Sequence, residues 1–95
     1  MSSKQAQFRL IWDNWNKEHI KKHGVSISEV EEVCKNAVAV KQSYLGRTMV
    51  FGKTVNGRLL TIVLSFGNEK DAYVVSARDM SKNEREIYYE KTKTD

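Results

Sequence analysis

Two hydrophobic periods follow one another along this chain, one helical and one β, and the changes between them set out its elements. Phe8-Arg9-Leu10-Ile11 is short and β-prone, which predicts an opening strand. The spacing then turns helical. Asp13 can serve as N-cap and Gly24 as the C′ residue, and between them Trp12, Trp15, His19 and His23 recur at helical spacing along one stripe. The stripe reads either as packing, with Trp15 and Ile20 in the core, or as an aromatic anchor carrying an imidazole row. Ser26-Ile27-Ser28-Glu29 is a capping box, and Val25 and Val30 stand where a hydrophobic staple needs them. Ile27, Val30, Val33, Cys34 and Ala37 share one face of this second predicted helix, which Asn36 can stop.

The middle of the chain alternates with period two. Val38 to Tyr44 predicts an edge strand at most, because Lys41, Gln42 and Ser43 interrupt its apolar character. Asn56-Gly57 between alternating segments predicts a two-residue type I′ hairpin, which sets Lys53 opposite Leu60, Phe51 opposite Ile62, Met49 opposite Leu64 and Arg47 opposite Phe66. A four-residue turn, Gly67 to Lys70, then pairs Leu64 with Tyr73, Ile62 with Val75 and Leu60 with Ala77. One face is thereby large and apolar. The other carries small and hydroxylated residues from Thr48 to Ser76, with Arg78 on it by parity. After Met80, Ser81 to Glu84 is a second capping box, opening a third helix with a thin apolar stripe of Met80, Ile87 and Tyr88; Thr92 to Asp95 is expected to fray. The expected architecture is α+β: three helices against one face of a twisted antiparallel sheet centred on Arg58 to Phe66, with Phe51, Ile62, Leu64 and Val75 buried.

Composition narrows the class. The chain of 95 residues fits one domain, 1–95, and no apolar run approaches the ~18 residues of a membrane span. Residues 1–7 are polar and lack an apolar signal core, so a cytoplasmic location is expected. Cys34, the only cysteine, sits among Val30, Val33 and Ala37 and reads as a small buried hydrophobe. A net charge of +4 is a mild basic bias, compatible with nucleic acid or an acidic protein partner.

The candidate chemistry follows from what is present. No glycine-rich phosphate loop, Cys-His zinc framework or Ser-His-Asp arrangement appears, and His19 and His23, four residues apart beside Lys21 and Lys22, make a poor metal pair; no metal or cofactor is expected. What remains is a cationic and imidazole set: Lys22, His23, Arg47, Lys53, Arg58, Arg78 and Arg85. Such a set suffices to cut RNA, because the 2′-OH is an internal nucleophile beside the phosphorus. A histidine suits the proton transfers, and fixed positive charge suits the phosphorane.

Trp12-Asp13, the Lys22-His23-Gly24-Val25 step, the capped helix with Glu29 and Val33, Gly52 before Asn56-Gly57-Arg58, and Val75-Ser76-Ala77-Arg78 leading to Asn83-Glu84-Arg85 and Tyr88 together resemble the BrnT-type toxins of bacterial type II toxin-antitoxin pairs. The segment Asn14 to Ile20 departs from the common pattern by its residues and its length, so the chain looks like a divergent branch. The resemblance implies a RelE-like fold, ribonuclease activity on RNA, and a cognate DNA-binding antitoxin whose complex sets the oligomeric state. It implies His23 with Lys22, Arg78 and Glu84 as catalytic residues, and Arg85, Arg47 and Arg58 as RNA-binding positions beside Lys53. Of these, His23 and Arg78 are expected to meet at one rim of the sheet. The alternative is a non-catalytic nucleic-acid- or protein-binding module on the same fold.

Overall fold

The structure, a computed structural model, describes residues 8–93, so the readings made of residues 1–7 and of residues 94–95 lie outside it. The opening strand is β1 (Arg9–Ile11), and the first helix, α1 (Asn14–Lys22), starts on a reciprocal capping box: the Asp13 carboxylate accepts from the Asn16 N–H while the Asn16 side chain accepts from the Asp13 N–H. Gly24, at φ +72°, closes α1, and Val25 N–H returns to the Ile20 carbonyl at 3.0 Å, as a Schellman ending requires. The second helix, α2 (Ile27–Lys35), has the capping box of Ser26 and Glu29, with Val25 and Val30 both buried beneath it. These local expectations hold to within a residue or two.

The sheet has five strands in the order β1-β5-β4-β3-β2, with β2 at Ala39–Gln42, β3 at Arg47–Lys53, β4 at Leu59–Phe66 and β5 at Asp71–Asp79. Strand β4 is central and β2 is an edge, as expected. The sheet is mixed, however, because β1 runs parallel to β5. The wholly antiparallel expectation fails there for a topological reason: α1, α2 and the hairpins separate the two strands, so they need no tight turn between them.

The hairpin register also differs. Thr54 N–H bonds to the Arg58 carbonyl and Gly57 N–H to the Thr54 carbonyl, both at 2.9 Å, while the Thr54 hydroxyl accepts from Arg58 N–H. Gly57 is left-handed at φ +90° and Asn56 is not, so the turn lacks the second positive φ of type I′ and its loop holds one residue more. That residue moves the pairing by one: Val50 faces Ile62, Phe51 faces Thr61 and Gly52 faces Leu60. Between β4 and β5, Val63 pairs with Ser76 and Leu64 with Val74, leaving Val75 as a bulge. Accordingly Phe51, Ile62 and Leu64 are fully buried, and Val75 is half-buried.

The slip redistributes the faces, and it corrects the expectation that all helices cover one of them. Helices α1 and α2 lie on the face of Val50, Leu60, Ile62, Leu64, Val74 and Ala77, where Ile20, Val30 and Val33 complete the main core. The third helix, α3 (Lys82–Lys93), packs on the opposite face, where Tyr88 and Met80 bury Phe51 and Ala39. Each large side chain so enclosed contributes roughly 1.5–3 kcal/mol. Gly52 permits the close approach of α2: a Cβ there would stand 3.0 Å from Val33 Cγ1 and 3.2 Å from its carbonyl oxygen. Asn16, fully buried, ties α1 to two strands by donating to the Ile11 and Val74 carbonyls at 2.9 and 3.0 Å.

Candidate active site

His23 is the C-cap of α1, exposed, with Lys21 and Lys22 exposed before it. Its ring meets His19 edge to face at 5.0 Å, and His19 in turn stacks on Trp15 at 4.7 Å with the planes 12° apart. Trp15 is 56% exposed, which rules out the core reading of that residue; Ile20, one face round, is the core residue. The loop after His23 is fixed by Arg58. Its Nη1 donates to the Gly24 carbonyl at 2.7 Å and to Glu29, and its Nε donates to Asp79 Oδ1 at 3.0 Å. Arg58, expected to hold RNA, is thus engaged in fastening the Lys22-His23-Gly24 step to the end of β5.

Arg78 stands beside Asp79 on β5 and faces the other way, toward α3. Its Nη1 and Nη2 bind the two Glu84 oxygens at 2.7 and 2.9 Å. Glu84 Oε1 also accepts from the Thr61 hydroxyl at 2.8 Å and from Ser81 N–H at 2.9 Å, the latter as the capping box of α3. Burial works to raise the Glu84 pKa, but the hydrogen bonds from Arg78, Ser81 and Thr61 and the Arg78 charge outweigh it and hold the carboxyl at about 2. The same pairing raises the Arg78 pKa, chiefly through the hydrogen bond to Glu84 and against desolvation. Glu84 is therefore ionised at neutral pH and holds Arg78 with both of its oxygens.

His23 and Arg78 lie at the same end of β5 on opposite faces of the sheet. Among the described residues no hydrogen bond, ion pair or ring contact joins them, and each is held by its own set. The expected direct meeting does not occur, because α1 and α2 lie on the face of Ile62 and Ala77, whereas Arg78 keeps the opposite face that parity gave it, where Glu84 at the start of α3 clasps it. The hairpin slip does move β3: Arg47, opposite Ser65, and Lys53, opposite Leu59, stand at the two ends of β3 on the same face of the sheet as Arg78, and Arg85 on α3 donates its Nη1 to the Met80 carbonyl at 3.0 Å. Helix α3 packs on β2 and β3, leaving Val63, Ser65, Ser76 and Arg78 half-buried as a shallow, small-residue floor.

Cys34, half-buried against the main core, has its thiol pushed up to about 12 by burial and by Glu31, which keeps it protonated at neutral pH. Among the described residues no group of three or more His, Cys, Asp or Glu is gathered in a way that would hold a metal ion. Among the described residues no helix is long and apolar enough to cross a membrane. The residues the sequence reading missed are Asp79, Thr61 and Asn16. Asp79 and Thr61 become visible only once the register is known, whereas Asn16 lies one capping-box spacing after Asp13.

The profile of the family described as "Ribonuclease toxin, BrnT, of type II toxin-antitoxin system" matches residues 12–84. Among solved structures the chain is similar to the crystal structure of the Brucella abortus ribonuclease toxin BrnT, with 20% identity, a TM-score of 0.64, and 80% of this chain and 100% of that chain covered. At that identity the likeness bears on the fold. No curated protein matches the sequence.

Proposed function

The chain belongs to the family of BrnT ribonuclease toxins of type II toxin-antitoxin systems, and from that membership we propose that it is a metal-independent endoribonuclease that cleaves RNA through attack of the 2′-OH on the adjacent phosphorus. The observation that carries this reading is His23 itself: an exposed imidazole on a helix terminus, flanked by Lys22, whose following carbonyl is locked in place by Arg58. In the proposed reaction His23 takes the 2′-OH proton as O2′ bonds to phosphorus. The P–O5′ bond breaks, and the leaving oxygen takes a proton from the Lys22 ammonium, giving a 2′,3′-cyclic phosphate and a 5′-OH. No oxidant, metal or cofactor enters this balance.

Arg78, Arg47, Lys53 and Arg85 grip flanking phosphates on the α3 side, and Glu84 acts as a positioning residue for Arg78. The strand being cut thus crosses the end of β5 from one face to the other. The antitoxin is proposed to be a DNA-binding protein acting in the cytoplasm, silencing the toxin by covering this basic surface with an acidic or amphipathic segment. The test is His23→Ala. It should lower the cleavage rate by about 10²–10⁴ with little loss of RNA affinity. Full activity in that variant would overturn the assignment.

A further inference from the structure

Trp15 is among the largest side chains left open to solvent, and it belongs to the segment that departs from the usual family pattern. An indole more than half exposed on a helix of nine residues contributes little to that helix's packing, since Asn16 and Ile20 already anchor the inner side. Its ring is nevertheless ordered by a near-parallel stack on His19, and the stack continues edge-on to His23. A flat aromatic surface held rigid beside a proposed proton-transfer group is suited to a planar ligand.

The surroundings say which ligand. Within α1, Lys17, Lys21 and Lys22 stand against Glu18 alone, and Lys22, seven residues after Trp15, returns to within about 20° of its direction. Cations and imidazoles around an open ring favour a polyanion with aromatic bases. The exposed apolar side chains that suit a protein partner gather elsewhere: Val38, Val40, Tyr44 and Leu45 lie on and beside β2, the edge of the sheet farthest from β1, whereas α1 packs on β5. We propose that the Trp15–His19 ring pair is a base-stacking subsite for single-stranded RNA, seating one base so that its ribose lies beside His23. The inference rests on the ribonuclease reading above and deepens it, because it assigns to this chain's own residues the contact that positions the strand beside His23.

Binding of a 2′-O-methyl hexaribonucleotide, which cannot be cleaved, tests this without any turnover. The wild-type chain should bind it with quenching of tryptophan fluorescence. Trp15→Ala should lose the quenching, while Trp12 remains, and bind about tenfold or more weakly, as the loss of one stacked base predicts. Trp15→Phe should stay within about threefold of wild type, and placing an abasic site at the stacked position should abolish the difference between wild type and Trp15→Ala. Circular dichroism should show equal folding of the variants. Equal affinity of wild type and Trp15→Ala within twofold, no binding by the wild type, or a Trp15→Ala defect confined to the antitoxin would each overturn the subsite. A chain that binds the analogue by this signature yet cleaves no RNA would refute the ribonuclease mechanism and leave the subsite standing.

Discussion

Arg78 and Asp79 are neighbours on β5 and point to opposite faces of the sheet: Asp79 receives the Nε of Arg58, which also holds the Gly24 carbonyl, while Arg78 is clasped by both oxygens of Glu84. Two adjacent residues thus fasten two distant pieces of the proposed site, the His23 loop on one face and the start of α3 on the other.

Arg58 is predicted to act through His23 rather than on RNA. Its planar fork reaches Asp79 and Gly24 at once, which a lysine ammonium on a single stem does not reproduce. Arg58→Lys should lower kcat about tenfold or more while leaving KM within about twofold, and Asp79→Asn should do the same less strongly. Steady-state kinetics on a short RNA checks the split; a change in KM alone would make Arg58 a phosphate contact.

Glu84 makes stability depend on acid. Its folded carboxyl titrates at about 2, below the ordinary value of 4.5, so the folded form binds the proton less readily than the unfolded form. The stabilisation is therefore complete above about pH 4.5 and is lost as pH falls toward 2. Glu84→Gln should lower Tm by about 5–15 °C at pH 7, equivalent to roughly 1–3 kcal/mol given that Arg78 is 37% exposed. It should also flatten the fall in Tm between pH 5 and pH 2 measured by thermal denaturation.

Gly52 sets the distance between α2 and the sheet. Gly52→Ala places a methyl 3.2 Å from the Val33 carbonyl oxygen, which belongs to backbone and cannot swing away, and should cost about 1–3 kcal/mol in urea denaturation. Gly67→Ala is the control. Its Cβ meets nothing within 4 Å, and stability should hold within about 0.5 kcal/mol.

RNA affinity should fall with salt. Arg47→Ala, Lys53→Ala and Arg78→Ala should each reduce the slope of log K against log salt by about 0.7 if each meets one phosphate of a single strand, as titrations at several salt concentrations will show. Saturating antitoxin should remove RNA binding altogether.

The helix ends were legible because they are decided locally. Asp13, Ser26 and Ser81 each cap the next turn through a side chain three residues away, and Gly24 closes α1 by its own backbone freedom. Face and register were not. The Asn56-Gly57 pair suits more than one turn, and the hydroxyl of Thr54 on Arg58 N–H accompanies the longer loop; the bulge at Val75 leaves no mark in the alternation. The first shift decides which face Arg47, Phe51 and Lys53 take, and the second lets Val74 and Ala77 share one face; Arg78 keeps the face that parity gave it. Hence neither the clasp of Glu84 on Arg78 and Thr61 nor the use of Arg58 to hold the Gly24 carbonyl could be read from the sequence.

The most direct test of the account is the chemistry of the cut ends. A single-stranded RNA should be cleaved by the purified chain as readily in EDTA as in magnesium. The fragments should carry 2′,3′-cyclic phosphate and 5′-OH termini by mass spectrometry, and replacing the scissile ribose with 2′-deoxyribose should abolish cleavage at that position. Cleavage that persists at the 2′-deoxy position, or that leaves 5′-phosphate ends and stops in EDTA, would contradict it.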